Sequence, residues 1–459
     1  MWLIYGSLLR REIINTTQRM ISSDNFGLKL VGTVLLTFII FGCVEKSKPT
    51  MMSEAKTAAE ILGHPDYLAM SYGGYRTKSR EDQPKIYQIK EDLLLLHAMG
   101  VRIVRTYNMQ FDHAPNVVKA IQELKNEDPE FEMYVMLGAW IDCANAWTDQ
   151  PDHAKENVQA NTIEIERAAA LASDYPDIVK IIAVGNEAMV HWASSYFVGP
   201  SVILKWVNHL QELKAKGVLS QDLWVTSSDN FASWGGGGEE YHQPDLIKLI
   251  ASVDYISMHT YAFHDTHYNA AYWKNAGSSN PEAQDQEPSA MSSVTGRKKV
   301  LQPFMTAAMD LTIAQVEQVR SFVTGLGIDK PIHIGETGWS SQSDGFFGAD
   351  GSRAADQLKQ AMYYETLMGW CREQNMSCFF FEAFDEQWKS SANPSDPENH
   401  FGLFELDGSA KYVLWPLVDQ GIFEGLSREG QRIKKTFDGQ VDRLIESALI
   451  PQNEKLIKH

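Results

Sequence analysis

Eight short runs of β-branched, aromatic and small residues recur along the chain: Tyr67–Tyr72, Arg102–Tyr107, Phe131–Ala139, Val179–Asn186, Leu223–Ser228, Val253–Thr260, Pro331–Glu336 and Ser377–Phe384. Few charges interrupt them, as strands buried on both faces require. Between them, apolar residues spaced three and four apart predict helices, among them Asn116–Lys125, His153–Ala172, Val202–Lys216, Leu311–Leu326 and Arg353–Gln374. Strict alternation of the two patterns predicts an α/β fold, a (β/α)8 barrel of the TIM type, lengthened by insertions in its βα loops. A doubly wound sheet would put a GxGxxG turn after an early strand, whereas Gly235–Gly238 follows the fifth strand, lacks that spacing and reads as a loop. The extended connection after strand six, Tyr261 to Asp310, carries His264, His267, Tyr268 and Trp273 and is long enough for a lid or subdomain. After Trp415, the spacing from Gln440 to Ile450 predicts a helix docked on the bottom of the barrel.

The first part of the chain follows a different rule. The apolar run Leu30–Phe41 follows Lys29, the order of a secretory signal, and is too short to span a bilayer comfortably. It ends in Ile40-Phe41-Gly42-Cys43, which resembles a bacterial lipoprotein cleavage box with Cys43 as the lipidated residue. The long stretch before it makes Met20 a candidate start in place of Met1. The expected organisation is a signal over 1–43, a tether over 44–60, a catalytic barrel over 61–425 and a C-terminal helical extension over 426–459. The mature chain is then an exported monomer held at the cell envelope by lipid, with the outer membrane as the expected site and secretion as the alternative. A net charge of −18 argues against nucleic acid and anionic membrane surfaces, and the 12 Trp suit a neutral partner with flat faces. Cys143, Cys371 and Cys378 lack CxxC spacing and are expected as buried thiols, with one bridge open to them. His97, His191, His259 and His333 share no metal-binding spacing, so neither metal nor cofactor is expected.

Barrel chemistry sits at the C-terminal ends of strands, and two carboxylates stand there. The fourth run ends in Gly185-Asn186-Glu187 and the seventh in Gly335-Glu336-Thr337-Gly338-Trp339. A preceding Gly permits close approach or an unusual backbone angle, which holds a carboxylate at a pocket rim. Two carboxyl groups flanking one bond can divide glycoside cleavage between an acid and a nucleophile. The alternative, rim residues in structural salt bridges, describes most single Glu positions but fits a facing pair poorly. Trp339, Trp388, Trp140, Trp192 and Trp234 follow strand ends and could stack on sugars, Trp339 and Trp388 first. Arg105, Tyr107 and Tyr72 are similarly placed. Arg105, inside a buried strand, needs a partner, either an active-site group or a structural carboxylate.

The VGNE and ETGW motifs resemble those of clan A glycosidases, and FEAFDEQWK from Phe381 with FGLF from Phe401 is similar to glycoside hydrolase family 17. The resemblance covers Tyr67 to Trp415. It implies a retaining enzyme acting mainly on β-1,3-glucans, with Glu187 as acid/base, Glu336 as nucleophile and Asn186 near the sugar 2-hydroxyl. It further implies a Tyr beside the nucleophile, matched by Tyr261, and an acidic residue with a Lys after strand eight, matched by Glu386 and Lys389. Endo-hydrolysis of a laminarin-type glucan is the expected activity, with transglycosylation by the same residues or a glycan-binding role as alternatives. Ser340 stands where the family often has Pro.

Overall fold

The computed structural model describes residues 56–268, 276, 292–348 and 351–451. The signal with Cys43, Trp273 and the side chains of His267 and Tyr268 lie outside the described residues. Eight parallel strands close a barrel: β1 (Leu68–Ser71), β2 (Val101–Arg105), β3 (Tyr134–Ala139), β6 (Val179–Asn186), β7 (Trp224–Asn230), β8 (Ile256–His259), β9 (Ile332–Thr337) and β10 (Cys378–Phe380). Each pairs with its neighbours in chain order, and β10 closes on β1 through Ala69 opposite Phe379. Alternation along the strands divides the core. Ala69, Ile103, Met136, Ile181, Ala183 and Phe379 fill the barrel, whereas Met70, Val104, Val135, Ile182, Val184 and Phe380 pack outward against helices.

The barrel floor is sealed by residues the sequence reading placed in the tether. Helix α1 (Ala58–Ile61), capped by Thr57 and Glu60, buries Ala58 and Ile61 against the inner cluster. The folded unit therefore begins before residue 61. Other differences have local causes. His153 lies in β5 (Asp152–Glu156), which turns back on β4 (Cys143–Ala144), so the helix predicted from His153 starts at Val158 under an Asn157 cap. The helix predicted from Leu311 runs over Val294–Gly325 and carries Pro303 inside, its first turns held by burial of Val300, Leu301, Phe304 and Met305. The connection after strand six is correspondingly shorter than the pattern suggested. Part of the Gly235–Gly238 loop is a wide helical turn, where Gly235, at φ +94°, leaves room for the Phe322 ring. Cys143, Cys371 and Cys378 are buried and unbridged.

The C-terminal helix, Val441–Ser447, is not under the barrel. It packs beside Val294–Gly325 and Gln357–Glu373, and Arg297 donates to Ala448 O at 3.0 Å. Those helices run antiparallel to the strands, so the contacted N-terminal turns lie near the rim where the strands end. A short hairpin, Ser427–Arg432, sits against helix Ile86–Ala98, and its Arg428 reaches buried Asp92 at 2.9 Å.

Candidate active site

Strand β6 delivers Glu187 through two successive departures from ordinary backbone. Gly185 has φ +81° and Glu187 φ +46°, a region a non-glycine residue occupies at a cost of order 1–3 kcal/mol when surrounding structure enforces it. Here the Glu187 amide donates to Ser228 O at 2.9 Å, and the Met189 amide, just past the turn, donates to Asp229 Oδ2 at 2.8 Å. Gly335 before Glu336 serves a different need. A Cβ there would sit 2.0 Å from Ser257 Oγ and 2.5 Å from Ser228 Oγ, so its absence makes room for those hydroxyls.

Glu336 is held from both sides. Tyr261 donates to its Oε1 at 2.6 Å; Tyr107 at 2.8 Å and Arg105 at 2.9 Å donate to Oε2. Arg105 is fully buried and also donates to Gly335 O at 2.6 Å and Asn186 Oδ1 at 2.5 Å, so its partner is the active-site carboxylate. Burial pushes the Glu336 carboxyl up, but the nearby His259 and Arg105 charges and the two phenols outweigh it and pull the group below its ordinary range. Burial lowers His259 itself to about 4, so its charge acts only at acid pH and Arg105 is the standing cation near neutral pH. Glu187 goes the other way: burial, then the Glu336 charge, push it up to about 8. One carboxyl is thus ionised and its neighbour protonated near neutral pH.

His259, at the end of β8, links the two. Its Nδ1 lies 3.1 Å from Glu187 Oε1, and its Nε2 lies 2.7 Å from Ser228 Oγ and 3.3 Å from Arg105 Nη1. Sequence reading considered this His only as a metal ligand, although it ends a strand as Glu187 and Glu336 do. Asp229, buried and pushed up to about 7, chiefly by burial, was also missed.

On the β10 side, Lys389 donates to Glu382 Oε2 at 2.9 Å and lies 3.3 Å from Glu386 Oε2, which also accepts from the Trp388 indole at 3.1 Å. Glu386 is buried and Lys389 half-buried, so the two are not a surface couple. Gly73 makes space for Glu386: a Cβ there would fall 1.6 Å from Oε1. Glu382 and Glu386 share one cation. Burial, then the Glu386 charge, push the Glu382 carboxyl well up, against the opposing pull of Lys389. An ion pair, His264 with Glu398 at 3.3 Å, joins the segments after strands six and eight.

The cleft is lined by Tyr75, Arg80, Phe111, Trp140, Asn186 and Trp388, with Glu336 at its floor. One expected sugar contact, Trp339, does not line this cleft. Trp339 is wholly buried, its indole donating to Ala354 O at 2.9 Å, because Gly338 turns the chain inward beside Phe381 and Phe401. Tyr72 does line the cleft, but it is buried and its hydroxyl donates to Asp92 at 3.0 Å. Trp234 is likewise buried, donating to Ser257 O, while Trp192 is exposed. Ser340, in place of Pro, ties its loop to Pro397 O at 2.9 Å. A separate hollow, lined by Gln342, Asp356, Asp385, Glu405 and Phe437, contains neither Glu187 nor Glu336.

An eight-stranded parallel barrel with a buried and a half-buried carboxyl of opposite protonation at its C-terminal rim defines a glycoside hydrolase. The family model for glycosyl hydrolases family 17 matches residues 154–415, and the chain belongs to that family. It is similar to the crystal structure of an endo-laminarinase from Formosa Hel1_33_131, at 56% identity and a TM-score of 0.80 over 86% of this chain and 98% of that one. A glucan 1,3-beta-glucosidase of Arthroderma benhamiae is 23% identical over 286 residues, 61% of this chain and 70% of that protein. The beta-1,3-glucanosyltransferase of Rhizomucor miehei shares the fold, with 19% identity and a TM-score of 0.50 over 76% of this chain and 96% of that one.

Proposed function

We propose that the protein is a retaining, endo-acting hydrolase of laminarin-type β-1,3-glucan, with Glu336 as nucleophile and Glu187 as acid/base. The observation that carries the roles is the opposite poise of the two carboxyls around Arg105 and His259. Ionised Glu336 attacks the anomeric carbon while Glu187 gives its proton to the departing glycosidic oxygen. The Glu336 charge disappears in the glycosyl ester, which removes one cause of the raised Glu187 pKa and suits that group to deprotonate the incoming water. Asn186, fixed by Arg105, stands beside Glu187 as a donor for the sugar 2-hydroxyl. The 56%-identical endo-laminarinase supports the choice of linkage and internal cleavage.

The test is reducing-sugar release and product chromatography from soluble β-1,3-glucan, cellulose and mannan, beside the Glu336→Ala variant. Cleavage of the β-1,3-glucan alone, lost by orders of magnitude in the variant, is expected. Binding without turnover would sink the enzyme reading, and products longer than the substrate would indicate transfer. Envelope anchoring through Cys43 belongs to the same proposal. It predicts lipid labelling of the exported chain that Cys43→Ser abolishes.

A further inference from the structure

Trp147 is 62% exposed, and nothing in the reaction above uses it. A Trp that serves packing buries its ring, since 150–250 Å² of mostly apolar surface is its main contribution to folding. This one is held out on the β4–β5 hairpin in a left-handed conformation, φ +65°, two residues after another left-handed residue, Asn145 at φ +55°. Such angles disfavour a bulky side chain by about 1–2 kcal/mol.

The exposed ring is nevertheless fastened. The Trp147 amide donates to Ser195 O at 2.9 Å, and the Cys143 amide donates to Tyr196 O at 3.1 Å, tying the hairpin to the segment after β6. The Trp147 ring stacks on Tyr196 at 4.9 Å between centroids and 22° between planes. Trp140 completes the group, 5.0 Å from Tyr196 and 6.2 Å from Trp147. Asp142 holds the Trp140 indole, accepting from its Nε1 at 2.6 Å. Its own backbone is clamped by Asn161, through bonds of 2.9 and 3.0 Å. An indole fixed by a buried carboxylate and another fixed by its backbone and by stacking on Tyr196 form a pre-set surface, so little freedom is lost when a ligand lands on it.

Trp140 lines the cleft together with Asn186 and Glu336, so the aromatic group continues that cleft outward. The chain carries a net charge of −18, which leaves a neutral ligand as the natural partner of an uncharged aromatic shelf. The glucose rings of a β-linked glucan have C–H faces that match flat aromatic rings. We propose that Trp147, Tyr196 and Trp140 form an outlying glucan-binding platform that engages sugar units beyond those held at Glu187 and Glu336. This rests on the β-1,3-glucan reading and adds to it a preference for long chains.

The test compares Trp147→Ala and Trp147→Phe with the wild-type chain on a soluble long β-1,3-glucan and on the shortest oligosaccharide it cuts, with melting temperature as a folding check. The expected result is a fall of about three- to tenfold in the ratio of kcat/KM for the long chain to that for the short one, the range of one aromatic stacking contact. The loss should lie in KM, and Trp147→Phe should recover most of it. An unchanged ratio, or an equal loss on both substrates, would overturn the platform while leaving the glucan reading intact. A wild-type chain that cuts no β-1,3-glucan would instead overturn that reading, and this ligand with it.

Discussion

Replacing Tyr261 by Phe removes a single oxygen from the donors around Glu336. The ring keeps its edge contacts with Phe401 at 6.0 Å and Phe381 at 6.4 Å, so the barrel rim should stay in place. The lost bond is short, 2.6 Å, and falls on a buried carboxylate. Hydrogen bonds to charged groups are worth about 1.5–3 kcal/mol, and one pKa unit corresponds to about 1.4 kcal/mol, so the Glu336 pKa should rise by about 1–2 units. Because the folded value lies below the ordinary range, the wild-type nucleophile is ionised across the acid side of the profile. The acid limb of kcat/KM, which reports the free enzyme, should therefore move to higher pH by that amount. Tyr107→Phe is the internal comparison: it removes a 2.8 Å bond from Oε2, which retains Arg105, so its shift should be smaller. Initial rates on β-1,3-glucan across the pH range would measure both. A uniform drop in rate with the limb in place, or a larger shift for Tyr107→Phe, would refute this account of how Glu336 is kept charged.

If Glu187 protonates the leaving group, Glu187→Gln should abolish glucan cleavage yet spare the first step on an aryl glycoside whose leaving group needs no proton, read as a burst of phenol; loss of that burst would assign the proton elsewhere. The same variant should change stability in a pH-dependent way. Folding raises the Glu187 pKa from 4.5 to about 8, so keeping the group ionised opposes folding increasingly as pH rises between those values. The Gln variant should melt higher than wild type at alkaline pH and show no such gain below the unfolded value; a gain independent of pH would point to packing instead. Trp339→Ala empties a buried site and should cost about 3–5 kcal/mol in denaturant unfolding, whereas a sugar-stacking Trp would lose affinity with stability intact. Arg428→Ala leaves Asp92 with one fewer cation in a buried cluster, and a destabilisation of about 3–5 kcal/mol is expected; a loss under 1 kcal/mol would show the hairpin to be dispensable.

The barrel was legible because strands buried on both faces leave an unbroken apolar signature, and β6 runs over the predicted Val179–Asn186. Strand ends were less so. The run from Ser377 to Phe384 contributes only Cys378–Phe380 to the barrel, after which Phe384 pairs with Phe404, a contact no local pattern announces. The placing of Glu187 and Glu336 at strand ends rested on Gly residues whose purposes turn out to differ, a left-handed angle at Gly185 and a vacated volume at Gly335. Trp339 misled because a residue three positions beyond a carboxylate can face either the cleft or the core, and only the close approach of Gly338 to Phe381 decides. His259 was overlooked because its partners lie 31, 72 and 154 residues away in the chain.

Those distant partners couple the two carboxyls. Arg105 Nη1 has two hydrogens, directed to Gly335 O at 2.6 Å and Glu336 Oε2 at 2.9 Å, and its 3.3 Å contact with His259 Nε2 is one of proximity, that nitrogen lying closer to Ser228 Oγ at 2.7 Å. His259 Nδ1 pairs with Glu187 Oε1 at 3.1 Å, so one ring bridges the acid to the residues around the nucleophile. Arg105 thus acts on both carboxyls: its charge keeps the proton off Glu336 and limits how far burial and the Glu336 charge raise Glu187. A Lys at 105 would preserve the charge but could not reach Glu336, Gly335, Asn186 and His259 from one rigid fork. That shared dependence explains why an arginine is buried at the C-terminal end of β2.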